Sequence, residues 1–119
     1  MIQRLHVGAR LSEAAIAGGT VYLAGQVPEL NPDADITAQT QEVLGHIDRL
    51  LAECNSDKSL LLSVQIYLAD IADISAMNAV WDAWVVPGST PPRATVQALL
   101  ADPRWRIEVV VVARQRTAP

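Results

Sequence analysis

One cysteine, Cys54, is all the chain carries, which excludes an intrachain disulfide and any cysteine cluster for zinc or iron–sulfur. Histidine is almost as scarce. His6 and His46 stand far apart, with no metal-ligand spacing around either, so no metal site is expected. The longest purely apolar run, 109–113, falls far short of the ~20 residues that span a bilayer. Met1 is followed by Ile2, Gln3 and Arg4 rather than by a basic stretch leading into an apolar one, so no secretory signal is expected and the expected location is the cytoplasm. Positive charge is also in deficit: nine Lys and Arg against thirteen Asp and Glu give a net charge of −4 and a pI near 4.9. No basic stripe is visible, and binding to nucleic acid is not expected.

What remains is apolar material. The chain has 119 residues, of which 50% are hydrophobic and 18% charged, with a mean hydropathy of +0.20. Those values exclude a disordered chain. Without repeats, linkers or composition shifts, residues 1–119 are expected to form one domain. At this length folding buries roughly two-thirds of the surface. The apolar content is high for so small a protein, which points to burial between subunits.

Periodicity orders the elements. Residues 21–26 follow Gly18-Gly19 and read as a strand, paired through that turn with a short strand at 14–17. Residues 1–7 are a weaker candidate for an opening strand. Ile36, Thr40, Val43, Leu44, Ile47, Leu50, Leu51 and Cys54 recur at three- and four-residue spacing, the stripe of a helix capped by Asp35 or Thr37 and stopped at 55–57. Gly45 inside that helix costs about 1 kcal/mol relative to alanine, either because the helix packs closely on a sheet there or because the cost is tolerated. Residues 60–68 read as a central strand. Asp70 and Asp73 offer caps to a second helix with Ile74, Met77, Asn78, Trp81, Trp84 and Val85 on one face, ended by Pro87-Gly88. Residues 93–99 and 105–113 complete the set. The expected architecture is α/β (α+β): a six-stranded mixed sheet with two helices packed on one face.

Alternation sets Arg93, Thr95 and Gln97 on one face of their strand. Arg93 follows Pro91-Pro92, so its entry is stiff. Its guanidinium is either a fork for a carboxylate ligand or an edge-strand group paired with an acidic neighbour. Glu108 lies between Ile107 and Val109 and shares its face with Val110 and Val112. Burial of that face would raise its carboxyl pKa and a neighbouring Arg93 would lower it. Such a carboxylate can orient or deprotonate a water; alternatively the strand has a solvated end. Asn78, on an apolar stripe, must find partners, either in nearby backbone or in a ligand. Gly25-Gln26-Val27-Pro28 can present backbone N–H groups to an anion or be merely a turn. Trp81, Trp84 and Trp105 read as core or interface aromatics, Cys54 as a small buried hydrophobe, and His46 as solvated.

Ala24-Gly25-Gln26-Val27-Pro28, Asn78-Ala79-Val80-Trp81, Pro92-Arg93-Ala94-Thr95-Val96 and Ile107-Glu108-Val109 come in an order and spacing that resemble the Rid family, the reactive intermediate deaminases or YjgF-type proteins. The stretch Trp81-Asp82-Ala83-Trp84-Val85-Val86 is most similar to the YoaB-like branch. The resemblance implies a chorismate-mutase-like fold assembled as a homotrimer with active sites between subunits. It implies hydrolysis of 2-imino acids of the 2-iminobutanoate and 2-iminopropanoate type, and of their enamine tautomers, to 2-oxo acids and ammonia, without a cofactor. By the same resemblance Arg93 clamps the substrate carboxylate, Glu108 holds the attacking water, Gly25 and Thr95 line an anion pocket with backbone N–H groups, and Asn78 supports its wall. Leu11 stands where many members carry an aromatic residue, and Thr95 where a cysteine is common. The alternative is a non-catalytic or regulatory protein that binds a carboxylate metabolite in the same cleft; fold alone does not decide between them.

Overall fold

The computed structural model describes residues 1–117. Six strands form one sheet: β1 (Gln3–Val7), β2 (Ser12–Ala17), β3 (Thr20–Leu23), β4 (Leu61–Leu68), β5 (Arg93–Gln97) and β6 (Ile107–Arg114). Two helices, α1 (Ile36–Glu53) and α2 (Ile74–Trp84), complete the described elements of length. The strand order is β1-β2-β3-β6-β4-β5, antiparallel throughout except for β4 beside β5. That parallel pair is the one joined through a helix, as a crossover requires. This is the mixed sheet with a two-helix layer that the resemblance implies.

Glycine makes the β2–β3 hairpin possible. Gly18 and Gly19 take φ of 57° and 78°, the left-handed pair that matches the twist of a two-residue hairpin. In α1, Val43, Leu44, Ile47, Leu50 and Leu51 are buried against Val21, Val64, Ile66, Val109 and Val111 of the sheet. Full burial of each such side chain contributes roughly 1.5–3 kcal/mol. Asp35 caps α1, its carboxylate accepting from Ala38 N at 2.9 Å. At the other end Asn55, with φ of 57°, turns the chain away. Ser56 Oγ, buried, then donates to Arg114 O at 2.7 Å.

Several expectations are corrected. β3 ends at Leu23, and the chain rejoins the sheet only at Gln26, which bridges Val109. β4 is interior but lies one strand from the edge. Asp73 makes no cap to α2; its carboxylate takes the Arg106 guanidinium instead, at 2.8 and 3.1 Å. Asp70 caps only the short turn before α2. A Cβ on Gly45 would meet nothing within 4 Å, so the helix tolerates this glycine without using it. His46 is buried, 4% exposed, rather than solvated. It sits one turn beyond Glu42, whose carboxylate is tied to the loop at 30–31. Glu42 accepts from the backbone N–H groups of Leu30 and Asn31 at 3.0 and 2.9 Å. Arg49 Nη1 donates to His46 Nδ1 at 3.2 Å, which leaves His46 Nε2 to donate to Glu42 Oε2 at 2.8 Å.

Candidate functional site

The helices cover one face of the sheet and leave the other open, and the candidate residues divide between the two. Register decides which goes where. Glu108 pairs with Tyr67, and Tyr67 with Val96. That row belongs to the open face, because its neighbours in sequence, Ile107 and Val109, point into the core. Arg93 pairs with Val64 and Thr95 with Ile66; both partners are core residues, so Arg93 and Thr95 face the helices. Within one chain Arg93 is therefore not the neighbour of Glu108, contrary to expectation.

On the open side Glu108 lies in a cleft of about 310 Å³ with Leu11, Glu13, Gly25, Gln26 and Trp105. Gln26 ties it together. Its backbone exchanges two hydrogen bonds with Val109, at 2.8 and 3.0 Å, which fixes β6 next to Glu108. Its carboxamide is 4% exposed at the residue level and donates to Glu13 Oε2 at 2.9 Å and to Ala24 O at 3.0 Å. Gly25 is a glycine for reasons of space: a Cβ there would overlap Glu108 Oε2 and lie 2.9 Å from Glu108 Cδ. The structure brings Gly25 and Glu108 together.

On the helix side Pro92 O accepts from Val64 N at 3.0 Å and pins the entry of β5. The Arg93 guanidinium carbon lies 5.1 Å from the centroid of the Trp81 ring, a cation–π distance. Among the described residues Arg93 makes no ion pair, so the acidic surface partner considered for it is not there. Asn78 precedes Trp81 by about one turn of α2, and Thr95 follows Arg93 on the same face of β5. The side-chain oxygens of both, Asn78 Oδ1 and Thr95 Oγ1, are buried without a hydrogen-bond partner. The backbone partner expected for the Asn78 oxygen is absent. Orphaned buried oxygens are rare and costly.

Elsewhere the chemistry is quiet. Cys54 is 1% exposed; burial, with the Glu53 charge, pushes its thiol up, the reverse of an activated nucleophile. Among the described residues no three His, Cys, Asp or Glu side chains converge to hold a metal ion. Nor, among those residues, is any helix long and apolar enough to cross a membrane. Sequence reasoning missed Glu13, the Gln26 carboxamide and the stacking of Arg93 on Trp81. Glu13 could have been found from the alternation of β2, where its neighbour Ala14 is core. The stacking joins α2 to β5 and has no local signature.

The model of the endoribonuclease L-PSP family matches residues 1–115. A RutC family protein of Haemophilus influenzae is 52% identical over 94% of this chain and 97% of its own. The RutC family protein YoaB of Escherichia coli is 46% identical over 94% and 96%. A crystal structure of a YjgF-family protein from Neisseria meningitidis superposes with a TM-score of 0.94 at 48% identity, covering 99% of this chain and 98% of that one. More distantly, the chloroplastic Reactive Intermediate Deaminase A of Arabidopsis thaliana is 29% identical over 86% of this chain and 57% of its own.

Proposed function

The chain belongs to the endoribonuclease L-PSP family, that of the YjgF and Rid proteins, and on that premise we propose that it is a cofactor-independent deaminase of 2-imino acids. The observation that carries the reading is the state of Arg93: a guanidinium held over Trp81, without an ion pair among the described residues, beside two orphaned oxygens. Such a group is prepared for a carboxylate from outside the chain. The second half of the site is Glu108 in its cleft, and the two halves meet between copies. The open face supports assembly, since Tyr22, Leu62 and Val96 are 51%, 48% and 44% exposed and no layer among the described residues covers them. We read the assembly as a closed homotrimer, in which contacts of one kind return on themselves.

The chemistry is spare. Arg93 of one copy binds the substrate carboxylate through two N–H donors, with Asn78 and Thr95 completing the wall. The C=N carbon then lies over the cleft of the next copy, where Glu108 orients a water and takes its proton as oxygen bonds to carbon. In the resulting carbinolamine Glu108 gives that proton to the nitrogen, and the C–N bond then breaks as the hydroxyl loses its proton and the C=O forms, so that ammonia leaves and the 2-oxo acid remains. An enamine first picks up a proton at carbon to become the imine. A protonated imine is already a strong electrophile, so placing the water can supply much of the rate enhancement. Imines of this kind leave pyridoxal-phosphate enzymes and amino-acid oxidases, and we place the reaction with them in the cytoplasm.

Cleavage of RNA is not proposed: the net charge is −4 and Glu13, Glu29 and Glu108 all line the cleft, which repels a phosphate backbone. The test is release of 2-oxo acid from imines made in situ by an amino-acid oxidase, with semicarbazide competing for the imine. Wild type should outrun spontaneous hydrolysis and Arg93→Ala should not. If wild type accelerates nothing but binds 2-oxo acids through Arg93, the protein is a carboxylate binder and the catalytic reading falls.

A further inference from the structure

We propose that Trp105 is the wall on which the substrate's side chain packs, favouring longer apolar side chains, and that Gln39 is the positioning residue that holds this wall in place. The inference rests on the reading of the Glu108 cleft as the place where substrate and water meet, and it concerns what the rest of that cleft recognises. Glu13, Gln26 and Glu29 line both this cleft and the adjoining one, which also holds His6 and Arg49. The residues that line the Glu108 cleft and not its neighbour are Leu11, Ala24, Gly25, Val27, Trp105 and Glu108. Apart from the one carboxylate they are apolar or glycine, and Trp105 is the largest of them. With the substrate carboxylate on Arg93 and the water on Glu108, the substrate's side chain is left to this apolar lining.

Trp105 stands in the connection between β5 and β6, and connections are ordinarily the mobile parts of a fold. This one is tied down on both sides of the indole. Gln39, in α1, is 0% exposed. Its Nε2 donates to Arg104 O at 3.0 Å and its Oε1 accepts from Arg106 N at 2.7 Å, one bond before Trp105 and one after it. The same nitrogen lies 3.0 and 3.1 Å from Pro32 O and Ala34 O, so the loop before α1 is drawn into the tie. Trp105 N itself donates to Asp102 O at 3.1 Å, and Arg106 O accepts from Ala69 N at 3.0 Å. A buried carboxamide is costly unless it is satisfied, and this one is satisfied largely by the peptide groups that flank the indole. A wall fixed in this way presents the same face to every substrate. An apolar side chain laid against it gains in proportion to the area it covers, and a methyl group covers little.

Norleucine and alanine provide the comparison, because their imines carry the same charge and differ only in the length of an apolar side chain. With both generated by an amino-acid oxidase and each rate corrected for spontaneous hydrolysis, the norleucine imine should be favoured by about tenfold in kcat/KM, equivalent to about 1.4 kcal/mol. Trp105→Ala should bring the ratio close to one, and Trp105→Phe, which keeps a ring, should retain most of it. Gln39→Met has nearly the native length and none of the hydrogen bonds. It should lower the ratio several-fold, and added to Trp105→Ala it should move the ratio no further. A residue that only supported the fold would lower both rates by one factor and leave the ratio alone. Should Gln39→Met not fold, Gln39→Glu, which keeps an oxygen for Arg106 N, takes its place with the same expectation at smaller size. A wild-type ratio near one, or a ratio unmoved by Trp105→Ala, overturns the inference while leaving deamination intact, and a ratio unmoved by the Gln39 variant overturns the positioning role. If neither imine is accelerated, the deaminase reading is what fails. Calorimetry with pyruvate and 2-oxohexanoate then decides: tighter binding of the longer acid, lost in Trp105→Ala and weakened in the Gln39 variant, upholds the inference, and equal binding overturns it.

Discussion

On the open face of the sheet Glu108 is crowded, its carboxylate so close to Gly25 that an added Cβ would have to push it aside and its strand clamped by Gln26 on both backbone hydrogen bonds. On the helix face Arg93, Asn78 and Thr95 are in the opposite condition, with a guanidinium lacking an anion and two buried oxygens lacking donors. The crowded half is defined within one chain, by contact. The other half is defined by what it still needs. A residue kept despite an unmet hydrogen bond is a stability cost tolerated for something outside the chain, and that contrast is why the halves are read as belonging to one site shared between copies.

The most demanding test of the contrast is complementation. Arg93→Ala and Glu108→Gln should each lower kcat/KM by roughly a hundredfold or more, the scale of a lost carboxylate clamp or general base. Refolded together, the two inactive chains should recover activity in about a quarter of the sites of a randomly mixed oligomer. If both groups served the same chain, nothing would return. Next in size, Gly25→Ala should push the Glu108 carboxylate aside and lower turnover by roughly tenfold to a hundredfold, while 2-oxo acid binding at Arg93, measured by calorimetry, changes little. On the orphaned side Thr95→Val removes an unsatisfied hydroxyl, so the fold should hold or gain about 1 kcal/mol in urea unfolding as turnover falls several-fold. Loss of stability there would mean that Thr95 has a donor after all.

Acid should distinguish the halves without any mutation. Burial acts to raise the Glu42 carboxyl, but the Leu30 N–H, His46 and Asn31 outweigh it and hold the carboxyl below the usual carboxylate range. Its contribution to stability is therefore complete above the ordinary carboxylate pKa and is lost as pH falls through the lowered one. As pH falls below the ordinary carboxylate range and through the lowered Glu42 pKa, the loop behind Glu29 should loosen first. Amide exchange at Leu30 and Asn31 should accelerate before exchange in β5, and Glu42→Gln should abolish that order. The smallest effect is Gly45→Ala, which enters open space and should stabilise the chain by up to about 1 kcal/mol, with turnover unchanged.

Much of this molecule is legible before folding because the signals are local. Gly18-Gly19 gives the hairpin, the spacing from Ile36 to Cys54 gives α1, and a helix between two apolar strands gives the parallel pair. The parts that escape depend on partners distant in sequence. Asp73 looks like a cap until Arg106 takes its carboxylate, and Arg93 looks like a surface group until the Trp81 ring of α2 lies against it. The candidate site divides in the same way. Arg93 and Glu108 stand out by residue type and by their places on apolar strands. Alternation, however, says only which residues of one strand share a face, and the assignment of two strands' faces to the same or opposite sides waits for register.

The contact between Gly25 and Glu108 also has a consequence for how this protein can vary. A side chain at 25 and the Glu108 carboxylate in its present place exclude one another, so the two positions are coupled although most of the chain separates them. A lineage that gains bulk at 25 must first shorten or redirect the residue at 108, and one that lengthens 108 keeps its glycine. Among descendants of this sequence the pair should therefore be replaced together, leaving a correlated mark on either side of the sheet bridge at Gln26.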